Sequence, residues 1–109
     1  MLFRSTKLDN LIHIGHDCHI GKNCLIAAQV GIAGGVNIGN GVTIWGQVGI
    51  NKSITIADHT VILGQSGVTN SLEGGKPYFG LPAEEAGQKR REIVWIKRIP
   101  ELWNKVMKS

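Results

Sequence analysis

Three of the four histidines fall in one short stretch, Leu8-Asp9-Asn10-Leu11-Ile12-His13-Ile14-Gly15-His16-Asp17-Cys18-His19-Ile20-Gly21. Imidazole is the side chain that most readily takes up and returns a proton near neutral pH, so this stretch is the first candidate for general acid–base chemistry. Three histidines also raise the question of metal ligation, and Cys18 and Cys24 close by raise it further. A glycine pair, Gly34-Gly35, offers bare backbone N–H groups of the kind that can stabilise an oxyanion. Which of these chemistries is open depends on how the chain places the residues.

The placement comes from a repeat. Fifteen of the 109 residues are glycine, about twice the usual share of roughly 7%, while prolines number only three. Ile14, Ile20, Ile26, Ile32, Ile38, Ile44, Ile50, Ile56 and Ile62 recur at intervals of six, with Leu8 before them and Val68 after. Two residues ahead stands a second apolar or small residue: Ile12, Cys18, Cys24, Val30, Val36, Val42, Val48, Ile54, Thr60 and Ser66. The residue after each isoleucine is usually small, as at Gly15, Gly21, Ala27, Ala33, Gly39 and Ala57. A period of six fits no helix, but two inward positions two apart are strand alternation. The small residue marks a corner where the backbone is crowded. A short strand and a corner every six residues is the signature of a parallel β-helix.

The pattern resembles the left-handed hexapeptide β-helix family, which implies three sides to a coil, so that residues 18 apart stack on adjacent coils at roughly the 4.8 Å strand spacing. Ile14, Ile32, Ile50 and Val68 then form one interior column, Ile20, Ile38 and Ile56 a second, and Ile26, Ile44 and Ile62 a third. Cys18 and Cys24 point inward on neighbouring faces and read as small buried hydrophobes with no metal or redox role. His13 and His19 point outward from successive faces and diverge, so no metal site is assigned within one chain, although ligands converging across a subunit interface stay open. His59 reads as a solvated surface residue. His16 falls at a corner, one coil below Gly34 and two below Lys52. A base beneath a bare amide suits acyl transfer; a surface histidine beside a turn glycine fits the same residues equally well.

The remaining chain divides into a β-helix over residues 1–70, a Gly/Pro-rich loop over 71–83 and basic helices over 84–109. Ile93, Ile96, Ile99, Leu102, Trp103 and Val106 recur at helical spacing, and Pro100 is expected to split the segment into two short helices. Seven of the 12 Lys and Arg residues fall here: Lys89, Arg90, Arg91, Lys97, Arg98, Lys105 and Lys108. The net charge of +4 is mild, and no interleaved aromatic or groove-reading motif points to nucleic acid. No apolar run approaches the roughly 20 residues of a transmembrane helix. The first residues lack the apolar core of a signal peptide, and the two cysteines suit a reducing compartment, so a cytoplasmic location is expected. A prism of so few coils buries little surface by itself, so its flat faces and amphipathic helix invite self-association.

The stretch KLDNLIHIGHDCHIG, followed by AAQVGIAGG, WGQVGI and GQSGVTNS, resembles the UDP-3-O-(3-hydroxyacyl)glucosamine N-acyltransferases of bacterial lipid A biosynthesis. GGKPYFGLPA and KRIPELWNKV resemble that family's loop and C-terminal helices, so the resemblance spans residues 4–109. It implies a left-handed hexapeptide β-helix and a homotrimer with clefts between subunits. It further implies transfer of a 3-hydroxyacyl chain to the amine of an acylated UDP-glucosamine. The donor arrives on the phosphopantetheine of acyl carrier protein, and no cofactor is permanently bound. His16 matches the family's general base and Gly34 its oxyanion-hole donor. Asp9 and Asn10 match polar residues that orient the imidazole or the sugar; they also suit a simple turn opening the first coil. Acyl carrier proteins are acidic, which makes Arg90, Arg91, Lys97 and Arg98 docking candidates, although a solvated helix face has the same composition.

Two departures stand out. Some family members carry a second histidine where this chain has Ser53, so an auxiliary role there is missing or met by Lys52. The family is also about three times longer, beyond a single domain of this size, and its uridine-binding part has no counterpart here. A small acetyl-CoA-dependent hexapeptide acetyltransferase, or an inactive trimeric remnant, are the alternatives.

Overall fold

The computed structural model describes residues 5–108; the outer ends of the two expected segments, 1–4 and 109, lie outside them. Eleven two-residue strands recur every six residues: β1 Lys7–Leu8, β2 His13–Ile14, β3 His19–Ile20, β4 Leu25–Ile26, β5 Gly31–Ile32, β6 Asn37–Ile38, β7 Thr43–Ile44, β8 Gly49–Ile50, β9 Thr55–Ile56, β10 Val61–Ile62 and β11 Gly67–Val68. They stack in parallel as three sheets. One runs β2-β5-β8-β11, the second β3-β6-β9, and the third begins β1-β4-β7-β10. The register pairs residues 18 apart, as in Ile14 with Ile32 and Ile20 with Ile38. The three expected isoleucine columns are therefore the three inner walls of a parallel β-helix.

The interior is largely aliphatic. Ile32, Ile44, Ile56 and Ile62 have no exposed surface. The second inward position is buried from Cys18 through Ser66, and Thr6 and Ile12, on the first coil, are partly open. Where that position is polar, its hydroxyl is satisfied, as buried polar groups generally are. Thr60 Oγ1 donates to the Ala57 carbonyl at 2.7 Å. Ser66 Oγ donates to the Leu63 carbonyl, also at 2.7 Å. The Cys18 and Cys24 thiols are buried, not disulfide-bonded, and point at the carbonyls of Ala33 and Gly39, each at 3.1 Å.

Each corner imposes two separate backbone demands. The residue after the isoleucine lies against the next coil, and a methyl group on Gly15 would sit 2.6 Å from the Gly34 nitrogen. The left-handed turn itself comes two residues later, at Leu11, Asp17, Asn23, Gln29, Gln47, Ser53, His59 and Gln65 as well as at Gly35 and Gly41. Most of these are side-chain-bearing residues, and only Asp17 and Asn23 are of the Asn and Asp types that tolerate this conformation best. The glycine content thus reflects close coil-to-coil approach more than turn conformation.

The expected loop over 71–83 contains structure. Leu72 bridges to Ile56, and β12 (Pro77–Gly80) adds a strand to the third sheet beside β10. β12 then reverses into the antiparallel β13 (Ala83–Glu85). Tyr78 plugs the end of the third column, with its hydroxyl donating to the Glu73 carbonyl at 2.9 Å. The expectation of two helices is also corrected: α1 (Ala86–Met107) is one helix of 22 residues with Pro100 inside it. Proline already has helical φ and removes a single N–H, so its cost stays local to the Ile96 carbonyl. The Glu85 carboxylate caps the helix, as an acceptor side chain at this position does. It accepts from the backbone N–H groups of Gly87 at 2.8 Å and Gln88 at 2.9 Å. Only Ala86 of the helix is buried, and the molecule extends 62 Å in length against 23 Å and 22 Å across.

Candidate active site

Residues 16, 34 and 52 line one edge of the prism, where the first sheet turns into the second. His16 is exposed at the corner between β2 and β3. Its carbonyl accepts from the Gly35 N–H at 2.8 Å, and the Gly34 carbonyl accepts from the Ser53 N–H at 3.0 Å, which locks successive coils in register. A methyl group on Gly34 would stand 3.3 Å from the His16 carbonyl oxygen, so nothing intervenes between the two corners.

The Gly34 N–H has no hydrogen-bond partner among the described residues, and the neighbouring edge shows why. There the corner residues are Lys22, Asn40 and Asp58. Asn40 Oδ1 accepts from the Lys22 N–H at 3.0 Å, and Asp58 Oδ1 accepts from the Asn40 N–H at 2.8 Å. Each side chain caps the amide one coil below. On the His16 edge the residue above Gly34 is Lys52, which has no acceptor atom. An available N–H one coil step from an exposed histidine can donate to a developing oxyanion while the imidazole takes a proton.

Asp9 and Asn10 lie on a different edge, between β1 and β2. Asp9 Oδ1 accepts from the Asn10 backbone N–H at 2.7 Å, a local turn. That edge and the His16 edge border the same sheet, so the two sites flank one face without touching. The face carries a shallow groove of about 440 Å³ floored by Gly31 and Gly49 and bounded by His13, Asn51 and Leu81. A methyl on Gly31 or Gly49 would meet open space, whereas Leu81 packs directly on Gly67. His13 and His19 project from different sheets. The edge of Asp9 and Asn10 carries, on the coils above, a ladder in which Gln47 donates to Gln29 and Gln65 to Gln47, each at 2.9 Å. Sequence reading missed the capping ladders and the open glycine floor, although both show in the same 18-residue spacing once side chains rather than isoleucines are aligned.

Arg90, Arg91, Lys97 and Arg98 are exposed along α1. The helix leaves from the last coil, three coil steps from the level of His16, each step about 4.8 Å. The structure does not bring these residues to His16. Arg91 donates to Gln88 at 2.9 Å and Arg98 lies 3.5 Å from Glu101. Lys89 is held by Glu84 at 2.6 Å, and this bond, with the nearby carboxylates, raises its ammonium above the ordinary lysine range. The effective positive surface of the helix is therefore smaller than its composition.

Residues 3–34 match the family described as bacterial transferase hexapeptide (six repeats). The chain is 50% identical over 104 residues to a UDP-3-O-acylglucosamine N-acyltransferase of Oleidesulfovibrio alaskensis, a match covering 95% of this chain and 30% of that protein. It is 34% identical over 106 residues to the enzyme of that name from Wolinella succinogenes, covering 97% of this chain and 31% of the relative. Among solved structures, PerB from Caulobacter crescentus, in complex with CoA and GDP-perosamine, superposes with a TM-score of 0.66 at 19% identity, over 77% of this chain and 52% of that one. The structural match bears on the fold alone. The chain spans about a third of the length of these curated relatives. Its first repeats match the bacterial transferase hexapeptide family, and its similarity to UDP-3-O-acylglucosamine N-acyltransferases runs through nearly its entire length.

Proposed function

We propose that this chain carries the acyl-transfer edge of a UDP-3-O-acylglucosamine N-acyltransferase. It would move a 3-hydroxyacyl group from the phosphopantetheine thioester of acyl carrier protein to the sugar amine, in the cytoplasm and as a step toward lipid A. The observation that carries the reading is His16 one coil beneath the uncapped Gly34 N–H. The neutral amine attacks the thioester carbonyl carbon, a C–N bond forms, and the carbonyl π pair moves to oxygen. Gly34 donates its N–H to that oxyanion while His16 takes the proton lost by nitrogen. Collapse re-forms the carbonyl and breaks the C–S bond, and the imidazolium returns its proton to the leaving sulfur. No resident cofactor or metal enters these steps.

The rest of the site is assembled around this edge. Asp9 and Asn10, across the shared face, are placed to meet the sugar, and the glycine-floored groove offers the acyl chain a flat apolar bed. The protein acts as a homotrimer, in which a neighbouring protomer closes the groove. Arg90, Arg91, Lys97 and Arg98 steer the acidic carrier protein, and because they stand away from His16 their role is docking.

The test is transfer of a 3-hydroxyacyl chain from acyl carrier protein to UDP-3-O-acylglucosamine, with acetyl-CoA as the competing donor. His16→Ala is expected to lower kcat by about 100- to 10,000-fold, the usual worth of a positioned base. Wild-type turnover in His16→Ala would remove the reading. Preference for acetyl-CoA would favour a small acetyltransferase, and a well-folded trimer inert to every donor would mark a scaffold without activity.

A further inference from the structure

Lys52 occupies the position above Gly34 that Asp58 occupies above Asn40 on the neighbouring edge. Side chains at this corner position lean toward the coil below. Asn40 and Asp58 reach down to the amides beneath them, and methyl groups on Gly34, Gly46 and Gly64 would lie 3.3 Å, 3.4 Å and 3.4 Å from the carbonyl oxygens of the preceding coil. By the same lean the Lys52 side chain starts out toward the Gly34 corner, where a Cβ on Gly34 would meet only His16 backbone atoms, so the space beside the glycine is open. One coil step is about 4.8 Å, a distance that four methylenes span. The Lys52 ammonium has no ion-pair or hydrogen-bond partner among the described residues, and Lys52 is exposed.

We propose that Lys52 is a second catalytic residue, whose ammonium donates to the same thioester oxyanion that accepts the Gly34 N–H. The inference rests on the acyl-transfer reading of this edge. On the neighbouring edge an acceptor on the protein fills the space beside the corner amide. On this edge the protein supplies donors from two sides and leaves the acceptor to the substrate. The charge that develops when the carbonyl π pair moves to oxygen lies between the Gly34 N–H and the ammonium. It returns to the carbonyl when the C–S bond breaks, and no proton leaves Lys52 in the cycle.

Lys52→Met is expected to lower kcat for acyl transfer by about 10- to 100-fold with an unchanged KM for acylated carrier protein, and Lys52→Arg to recover most of the loss. Lys52→Asp is expected to fall further than Lys52→Met, because its carboxylate would cap the Gly34 N–H as Asp58 caps that of Asn40. In the unmodified protein, NOE cross-peaks are expected from the Lys52 side-chain methylenes to the Gly34 α-protons, a readout independent of turnover that decides the matter in an inactive preparation. Wild-type kcat in Lys52→Met, a loss confined to KM, or absent cross-peaks would each overturn the proposal. Failure of the underlying reading is distinguishable, since it shows as undiminished turnover in His16→Ala.

Discussion

At the scale of single residues, glycines at two positions in the same repeat have opposite meanings. Gly15 is pressed against the next coil: a methyl there would lie 2.6 Å from the Gly34 nitrogen and 2.8 Å from the Ala33 carbonyl carbon, both backbone atoms that cannot swing aside. Gly15→Ala must push the His16 coil and the Gly34 coil apart. Its expected cost is about 1–3 kcal/mol, typical of overpacking, and under the proposed mechanism acyl transfer falls with it because His16 and Gly34 are displaced relative to each other. Gly31 faces open space with an ordinary backbone conformation. Gly31→Ala is expected to leave stability unchanged or raise it by about 0.4–1 kcal/mol through the unfolded chain. Urea unfolding of both variants checks the pair: equal losses would mean that close coil approach is not what distinguishes them.

At the scale of elements, the helix start is an electrostatic device. The Glu85 carboxylate is held below the ordinary glutamate value of 4.5, first by the Gly87 N–H and then by that of Gln88. A carboxylate whose folded value is depressed contributes stability above its unfolded value, and that contribution is lost as pH falls through the folded one. The protection of the Gly87 and Gln88 amides against exchange, taken relative to the unstructured chain, is therefore expected to fall as the pH drops below the ordinary glutamate value of 4.5. In Glu85→Gln this pH dependence should vanish, and its survival would assign it elsewhere. The elements also show how far sequence carries. Nine isoleucines in step announced the strands and corners of a parallel β-helix, while the three-sided winding, and with it the columns, came from the resemblance to the hexapeptide family. The same spacing placed His16 under Gly34. It did not reveal that the Gly34 N–H is free, since that depends on what residue 52 lacks and on the Asn40–Asp58 ladder beside it. Nor did it show β12 and β13, whose four- and three-residue strands fall outside the repeat. Pro100 misled because a proline rule describes local cost, whereas the helix continues on both sides of it.

At the scale of the whole molecule, α1 projects from the prism with its apolar side uncovered. Ile96, Ile99, Trp103 and Val106 follow one another at spacings of three, four and three, the seam of a helix that packs on other helices. Each of the four is at least 54% exposed. Three such helices around a threefold axis would cover one another's seams, and the same axis would set each prism face against a neighbour's edge, so that the shared face beside His16 becomes an enclosed cleft. The association and the activity should then be lost together. Sedimentation equilibrium is expected to give about 35 kDa for a closed trimer, three times the chain mass of 11.8 kDa. Trp103→Glu places a charge in the seam, where it would be buried without a partner. This variant is expected to sediment near the single-chain mass, keep the strand signature of the β-helix in circular dichroism, and lose acyl transfer although His16, Gly34 and Lys52 are untouched. A monomeric Trp103→Glu chain with full activity would show that one prism is a complete site and that the helix serves something other than assembly.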